Sequence, residues 1–146
     1  MNHKATILTF VMVVGVGGFL ANTGQNFIYS NLEDSHMNDI AGRVSVGPQI
    51  QLADLAVLKA QGIEVVINNR PDGEVANQPS HEAMAAASAA LGLSYYFIPV
   101  SPRGLTQDNV DQMQAALAAS SGPVFAYCRS GNRSGILLQA ATQGGS

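Results

Sequence analysis

The residues best suited to chemistry lie together in the run YCRSGNRSG, from Tyr127 to Gly135. The run contains Cys128, the only cysteine of the 146-residue chain, and four residues separate it from Arg133, which Ser134 follows. Backbone N–H groups in a turn and at the start of a helix stabilise negative charge, so a thiol placed here can be held as a thiolate. An arginine adds a planar donor that binds an oxyanion through two hydrogen bonds. The run therefore predicts a nucleophilic thiolate that faces a tetrahedral anion.

Seven of the nine residues of this run can be given a role in such a site. We expect Cys128 to be the nucleophile, Arg133 to hold the anion, and Ser134 to hydrogen-bond the sulfur or the leaving charge. The residues expected to bind the substrate are Arg129, Ser130, Gly131 and Asn132. The alternative is that Cys128 is a small buried hydrophobic residue at the end of a strand, as free cysteines often are. That alternative does not explain two glycines and an arginine at this spacing.

The rest of the chain supplies the elements that must position this run. From about residue 44, strand and helix signals alternate. The apolar runs that predict strands are VSVG, IEVVIN, LSYYFIPV and GPVFAYC. Ser80 and Thr106 are expected to cap helices, and Gly62 and Gly92 are expected to end them. This alternation predicts an α/β domain with three layers, in which helices cover both faces of a mainly parallel sheet.

The predicted sheet should gather the chemistry at one edge, because ligands of open parallel sheets bind beyond the carboxyl ends of the strands. The loops expected to meet there are 69–74, 101–105 and 129–133. Cys128 ends the last predicted strand, and Arg70 lies in the first of these loops, where it could form a charged rim or simply be solvated. A helix is predicted over 48–61 with Leu52 on its buried side. His81 is expected on a solvated first turn of another helix.

Composition excludes several classes of function. The net charge is −3 and no basic run is present, so the chain lacks the electrostatic footprint of a nucleic-acid-binding protein. A single cysteine excludes an intrachain disulfide framework and a Cys-rich zinc site. His3, His36 and His81 lie far apart and show no metal-ligand spacing. We therefore expect no metal or other cofactor, and we expect a small anionic substrate, while the oligomeric state stays open.

Residues 1–21 contain the uncharged, strongly apolar run ATILTFVMVVGVGGFLA. Its 17 residues are at the short limit for a membrane span, and Lys4 before them would leave the N-terminus in the cytoplasm and the rest outside. A cleaved signal peptide is a competing interpretation. A third is that the true start is Met37 and that the protein is cytoplasmic. Residues 22–43 are polar and predict a linker, which leaves a catalytic domain over 44–146.

Several separated motifs are similar to one known family. The runs VSVGPQI, VVINNRPDGE, QPS, YYFIPVS and GPVFAYC occur in this order before the cysteine loop. They resemble the phosphatase-like domain of the beta-lactamase-hydrolase-like family over roughly residues 39–141. That domain is related to dual-specificity phosphatases, so the resemblance implies a cysteine-phosphatase-like fold and the hydrolysis of phosphorylated ligands. The cysteine loop alone also resembles the active loop of rhodanese-type sulfurtransferases.

The chain departs from the phosphatase pattern at three places. Four residues separate Cys128 from Arg133 where these phosphatases have five, and Tyr127 stands where they usually have histidine. They also use an aspartic acid on a neighbouring loop to protonate the leaving oxygen, but the loop SPRGL contains no acid. Asp72, in NNRPDGE, is the best substitute and Glu74 is the next, although Pro-Asp-Gly is also a favoured turn sequence.

Three functions are therefore open, and we expect the first. It is the hydrolysis of phosphate monoesters through a phosphocysteine at Cys128. The second is rhodanese-type sulfur transfer through a Cys128 persulfide, which needs no carboxylic acid and suits the shorter loop. The third is a non-catalytic module that binds phosphorylated or anionic ligands. An intact cysteine argues against the third, because a thiolate repels an anion.

Overall fold

Four parallel strands form the centre of the domain, which a computed structural model describes over residues 40–143. The strands are β1 (Val44–Gly47), β2 (Val65–Asn68), β3 (Ser94–Phe97) and β4 (Val124–Tyr127). They lie in the order β1-β4-β2-β3, and every neighbouring pair is parallel. All four lie within the runs that the sequence predicts as strands. The interior strand β2 is buried along its whole length, which agrees with its three successive apolar residues Val65, Val66 and Ile67.

Helices cover both faces of this sheet, so the predicted three-layer architecture is confirmed. The helices are α1 (Asp54–Ala60), α2 (His81–Ala90), α3 (Gln107–Ala118) and α4 (Asn132–Gln143). Met113 of α3 and Leu137 of α4 pack with Ile67 on one face. Leu55 of α1 and Met84 of α2 belong to the core on the other face. The two cores arise because successive residues of a strand point to opposite faces.

Side-chain caps begin two of these helices as the sequence predicts. The Ser80 hydroxyl accepts the N–H of Ala83 at 3.2 Å at the start of α2. The Thr106 hydroxyl accepts the N–H of Asn109 at 3.2 Å, and the Asn109 side chain accepts the N–H of Thr106 at 3.1 Å. This reciprocal pair is a capping box, which fixes where α3 begins.

The first helix is shorter than predicted. It begins at Asp54 rather than near the start of 48–61. Leu52, which was expected on the buried side of the helix, lies before it and is 44% exposed. The prediction for Leu52 was wrong because the chain first makes a turn, in which the Asp54 carboxylate accepts the N–H of Gln51 at 2.7 Å. The predicted end is confirmed, since Gly62 follows the helix with φ +94°, a conformation that favours glycine.

The register of the strands aligns their carboxyl ends. Gly47 is paired with Tyr127, Tyr127 with Asn68, and Asn68 with Phe97. These four residues are the last of their strands, so the loops that follow all start from one edge of the sheet. This edge is where the sequence predicts the site.

The segment before β1 is partly described. The predicted anchor over 1–21 and most of the predicted linker over 22–43 lie outside the described residues. Ile40 packs against the core shared with α3 and α4, and the Arg43 guanidinium donates to the carbonyl of Gly122 at 2.9 Å. The last residues of the predicted linker therefore contact the folded domain. Within residues 40–143, no helix is long and apolar enough to cross a membrane.

Candidate active site

Cys128 directly follows β4 and is 1% exposed. Its sulfur accepts the backbone N–H of Gly131 at 3.1 Å. Burial raises the pKa of the thiol, but hydrogen bonds from the backbone amides of Ser134, Gly131, Ser130 and Arg133 outweigh it, and the net shift is downward. The loop therefore favours the thiolate, which is the nucleophilic form of cysteine.

The shape of this loop depends on Gly131. Its φ is +99°, and a Cβ at this position would lie 3.2 Å from the carbonyl oxygen of Gly47 in β1. A second contact fixes the loop, because the carbonyl of Arg129 accepts the N–H of Gln49 at 3.2 Å. The close approach to β1 turns the amides of the loop towards the sulfur and lets α4 begin at Asn132.

The four residues predicted to bind substrate differ in what they offer. Ser130 and Gly131 supply backbone N–H groups to the sulfur. The side chains of Arg129, Ser130 and Asn132 are exposed, and Gly131 is buried. The loop therefore interacts with the sulfur through its backbone, and its three exposed side chains face the solvent.

The guanidinium of Arg133 forms a two-pronged ion pair with Glu74. Its Nη1 donates to Glu74 Oε2 at 2.8 Å, and its Nη2 donates to Glu74 Oε1 at 2.9 Å. Nη1 also donates to the carbonyl of Val100 at 2.9 Å. The other edge, made of Nε–H and the second Nη2–H, donates to no oxygen or nitrogen atom of residues 40–143, and the Cys128 sulfur is near enough to interact with the guanidinium. A pair of parallel donors of this kind fits two oxygens of a phosphate.

Arg70 is the second cation of this group and is only 4% exposed. Its Nε donates to Glu74 Oε1 at 2.8 Å, and its Nη1 donates to Gln49 Oε1 at 3.0 Å. Arg133 therefore shares Glu74 with a buried arginine that the sequence placed only at a possible rim. A buried charge is costly unless it is paired, and Glu74 supplies the pairing for Arg70.

These contacts set the charge states of the ion pair. The hydrogen bond from Arg133 lowers the pKa of Glu74 to about 2, burial opposes the shift, and Arg70 adds to it. Glu74 in turn raises the pKa of Arg133, to which the nearby Cys128 also contributes. Glu74 is thus ionised at neutral pH and is not suited to donate a proton, although the sequence made it the second candidate acid.

Ser134 links the cysteine loop to the loop after β2. Its hydroxyl donates to Asn69 Oδ1 at 2.7 Å, and Asn69 Nδ2 donates to the carbonyl of Ile98 at 3.0 Å. Ser134 and Asn69 are both fully buried. The hydroxyl hydrogen that was expected to serve the sulfur is therefore directed to Asn69, and Ser134 reaches Cys128 through its backbone amide.

Asp72 lies on the same loop and is paired with His81. Its Oδ1 accepts the backbone N–H of His81 at 2.8 Å, and its Oδ2 lies 2.6 Å from His81 Nδ1. The His81 ring is stacked on Phe97, with centroids 4.0 Å apart and planes 6° apart. His81 is on the first turn of α2, as the sequence predicts, but it is held by two partners rather than merely solvated. The role of Asp72 as an acid stays a prediction.

Of the three loops expected to meet, the other two differ in how many contacts they make with the cysteine loop. The loop after β2 reaches the cysteine loop through Glu74 and Asn69. The loop 101–105 contributes at its base, where the carbonyl of Val100 accepts from Arg133. Sequence reasoning missed Asn69 and Gln49, and the polar run NNR directly after a buried strand was the signal that could have identified the first. Within 40–143, no three His, Cys, Asp or Glu side chains converge in a way that could hold a metal ion.

Comparison with known sequences assigns the family. Residues 36–145 match the model of the family described as beta-lactamase hydrolase-like protein, phosphatase-like domain. The chain belongs to this family. A curated beta-lactamase hydrolase-like protein of Agrobacterium fabrum is 41% identical over 91 residues, which cover 62% of this chain and 21% of the relative. The chain therefore spans about a fifth of the length of this relative.

Solved structures support a cysteine-phosphatase-like fold. A candidate phosphatase from Neisseria meningitidis has a TM-score of 0.59 and 29% identity, covering 65% of this chain and 68% of its own. The kinase associated phosphatase, solved with its catalytic site cysteine replaced by serine, has a TM-score of 0.56 and 13% identity, covering 68% of this chain and 63% of its own. The second likeness concerns the fold alone. The family and the Neisseria meningitidis structure together make the domain phosphatase-like.

Proposed function

We propose that the domain hydrolyses phosphate monoesters through a phosphocysteine at Cys128. The observation that carries the proposal is the pairing of two features at one point. The sulfur is surrounded by backbone amides that lower its pKa, and the nearby Arg133 has one edge whose two donors bind no oxygen or nitrogen atom of residues 40–143. The first feature provides a nucleophile, and the second provides a holder for the oxygens of a phosphate.

The reaction has two steps. In the first, the Cys128 thiolate attacks phosphorus, the S–P bond forms, and the bond to the ester oxygen breaks as that oxygen receives a proton. In the second, water attacks phosphorus, the S–P bond breaks, and inorganic phosphate leaves while the water gives up a proton. In both steps the loop amides and the free edge of Arg133 bind the non-bridging oxygens, where negative charge accumulates.

Glu74 has a positioning role in this proposal. It occupies the end of the Arg133 guanidinium through two hydrogen bonds, and Val100 takes the remaining Nη1 hydrogen. The guanidinium therefore has one orientation and one open edge before substrate arrives. A donor that is already oriented costs little entropy when it binds. The positive charge of Arg70 balances the negative charge of Glu74. The positive charge of Arg133 is then left to balance the negative charge of the Cys128 thiolate.

The first test is a paired assay on the full chain and its Cys128→Ser variant. One arm measures phosphate released from para-nitrophenyl phosphate, and the other measures thiocyanate formed from thiosulfate and cyanide. We expect phosphate release that the variant loses and no thiocyanate. Cysteine-dependent thiocyanate without phosphate release would replace the proposal with sulfur transfer. Silence in both arms, with inorganic phosphate still bound, would make the domain a binding module.

A further inference from the structure

The proposed hydrolysis leaves one chemical task without a residue, which is protonation of the leaving oxygen. Two carboxyl groups occur in the three loops at the carboxyl edge of the sheet, Asp72 and Glu74. Glu74 is committed to two arginines. Both oxygens of Asp72 are engaged by His81, one by its backbone N–H and one by its ring. The imidazole of His81 is therefore the group that still has a nitrogen, Nε2, available to transfer a proton.

The His81 ring is held in a single orientation by contacts of different kinds. Nδ1 lies 2.6 Å from Asp72 Oδ2, and the ring face lies on Phe97 at 4.0 Å. Nε2 makes no hydrogen bond to any residue of 40–143, and the side chain is 35% exposed. A carboxylate that fixes one nitrogen of a histidine sets its tautomer and leaves the other nitrogen to exchange protons with a substrate.

The position of the ring is compatible with this task. Phe97 is in register with Asn68, and Asn68 with Tyr127, the residue before the cysteine. Two strand spacings, about 10 Å, therefore separate the backbone beneath the ring from the end of β4. Asp72 is two residues before Glu74, whose carboxylate touches the anion-binding arginine. The imidazole therefore lies at the carboxyl edge of the sheet, where the loop that contains Cys128 also begins.

We infer that His81, oriented by Asp72, transfers the proton to and from the reacting oxygens. The inference rests on the proposed function. In the first step, Nε2–H of the imidazolium gives its proton to the ester oxygen as the P–O bond breaks, and the ring becomes neutral. In the second step, Nε2 takes a proton from the attacking water as the P–S bond breaks, which restores the imidazolium. Asp72 is a positioning residue that holds Nδ1–H through both steps.

The test uses the full chain with two substrates that differ in leaving group. Para-nitrophenyl phosphate has a good leaving group that departs without a proton, whereas phenyl phosphate has a poorer one that depends on a general acid. In His81→Gln we expect kcat/KM to fall about 10²–10⁴-fold for phenyl phosphate and less than about tenfold for para-nitrophenyl phosphate. Glu82→Gln, on the next residue of the same helical turn, is the matched control and should change neither substrate.

A second variant guards against a folding defect. Asp72→Asn keeps the shape of the side chain but weakens the hold on Nδ1, so we expect a smaller loss that again falls mainly on phenyl phosphate. Equal losses with both substrates, or no loss, would overturn the role of His81 while leaving the Cys128 reaction intact. If wild type releases phosphate with no dependence on Cys128, the proposed function fails, and this inference fails with it.

Discussion

The loop after β4, which begins at Cys128, and the loop after β2, which binds Arg133 and Ser134, stabilise charge in different ways. The loop after β4 uses backbone N–H groups, and its side chains at Arg129, Ser130 and Asn132 point to solvent. The loop after β2 uses side chains, since Glu74 binds two arginines and Asn69 binds Ser134. One loop lowers the pKa of the cysteine that we propose as the nucleophile, and the other fixes the side chains of Arg133 and Ser134.

The comparison teaches where each loop is vulnerable. A backbone cradle tolerates changes of its exposed side chains but not a change of its fold, which depends on one glycine with a positive φ. A side-chain network instead fails when one partner is removed, because the remaining partners are left buried and unpaired. Three substitutions separate these cases, in order of expected effect.

The largest effect should come from the side-chain loop. The pKa of Glu74 is lowered from 4.5 to about 2 in the folded state. Ionised Glu74 therefore stabilises the fold at pH values above its pKa in the unfolded chain, and this stabilisation is lost as the pH falls towards its pKa in the folded state. The wild type should lose about 3 kcal/mol of its free energy of unfolding between about pH 5 and pH 2 from this group. Glu74→Gln should abolish that dependence and lower stability at neutral pH by roughly 3 kcal/mol.

Urea unfolding at several pH values measures both quantities. Glu82→Gln is the control, because it removes an exposed carboxyl group and should keep the pH dependence of wild type. If Glu74→Gln retains the wild-type loss of stability at low pH, ionised Glu74 is not the source of that pH dependence. The contrast between the two loops would then be wrong.

A smaller effect is expected from the backbone loop. Gly131→Ala adds strain at φ +99° and places a Cβ 3.2 Å from the Gly47 carbonyl. The strain alone costs about 1–2 kcal/mol, and the contact should add to it and displace the amides from the sulfur. We expect lower thermal stability and a loss of phosphate release of more than about tenfold, since amides that bind developing charge are displaced.

Gly62→Ala is the matched control for this substitution. Gly62 has a similar φ of +94°, but no atom lies within 4 Å of a Cβ built there. It should show the strain without the contact and should keep its activity. Equal losses of stability in the two variants would mean that the approach of the loop to β1 does not matter.

The smallest effect should come from the residue that joins the two loops. Ser134→Ala removes the donor of the 2.7 Å hydrogen bond to buried Asn69, so we expect a loss of about 1–3 kcal/mol in the free energy of unfolding. The backbone amide of residue 134 remains, so the rate of phosphate release should change less than about tenfold. Ser94→Ala, at an exposed residue of β3, should leave stability within about 0.5 kcal/mol of wild type. A rate loss far above tenfold in Ser134→Ala would return the hydroxyl to the role expected from the sequence.

The sequence alone determined the features that local rules govern. The strands follow from short apolar runs, the starts of α2 and α3 from the capping side chains of Ser80 and Thr106, and the end of α1 from Gly62. The cysteine loop was equally predictable, because a thiol, two glycines and an arginine within nine residues have few structural uses. Each of these signals depends on residues that are close in the chain.

The tertiary structure decided everything that depends on contacts across the chain. Glu74 looked like a spare acid until its distance to Arg133, 59 residues away, was known. His81 looked solvated because its partner Asp72 and the Phe97 ring lie on other elements. The number and sign of charges packed around a carboxyl group set its protonation, and a linear sequence does not contain those distances. The residues of the proposed nucleophilic loop are therefore set by the local sequence, whereas the placement of charges and protons around them is set by the fold.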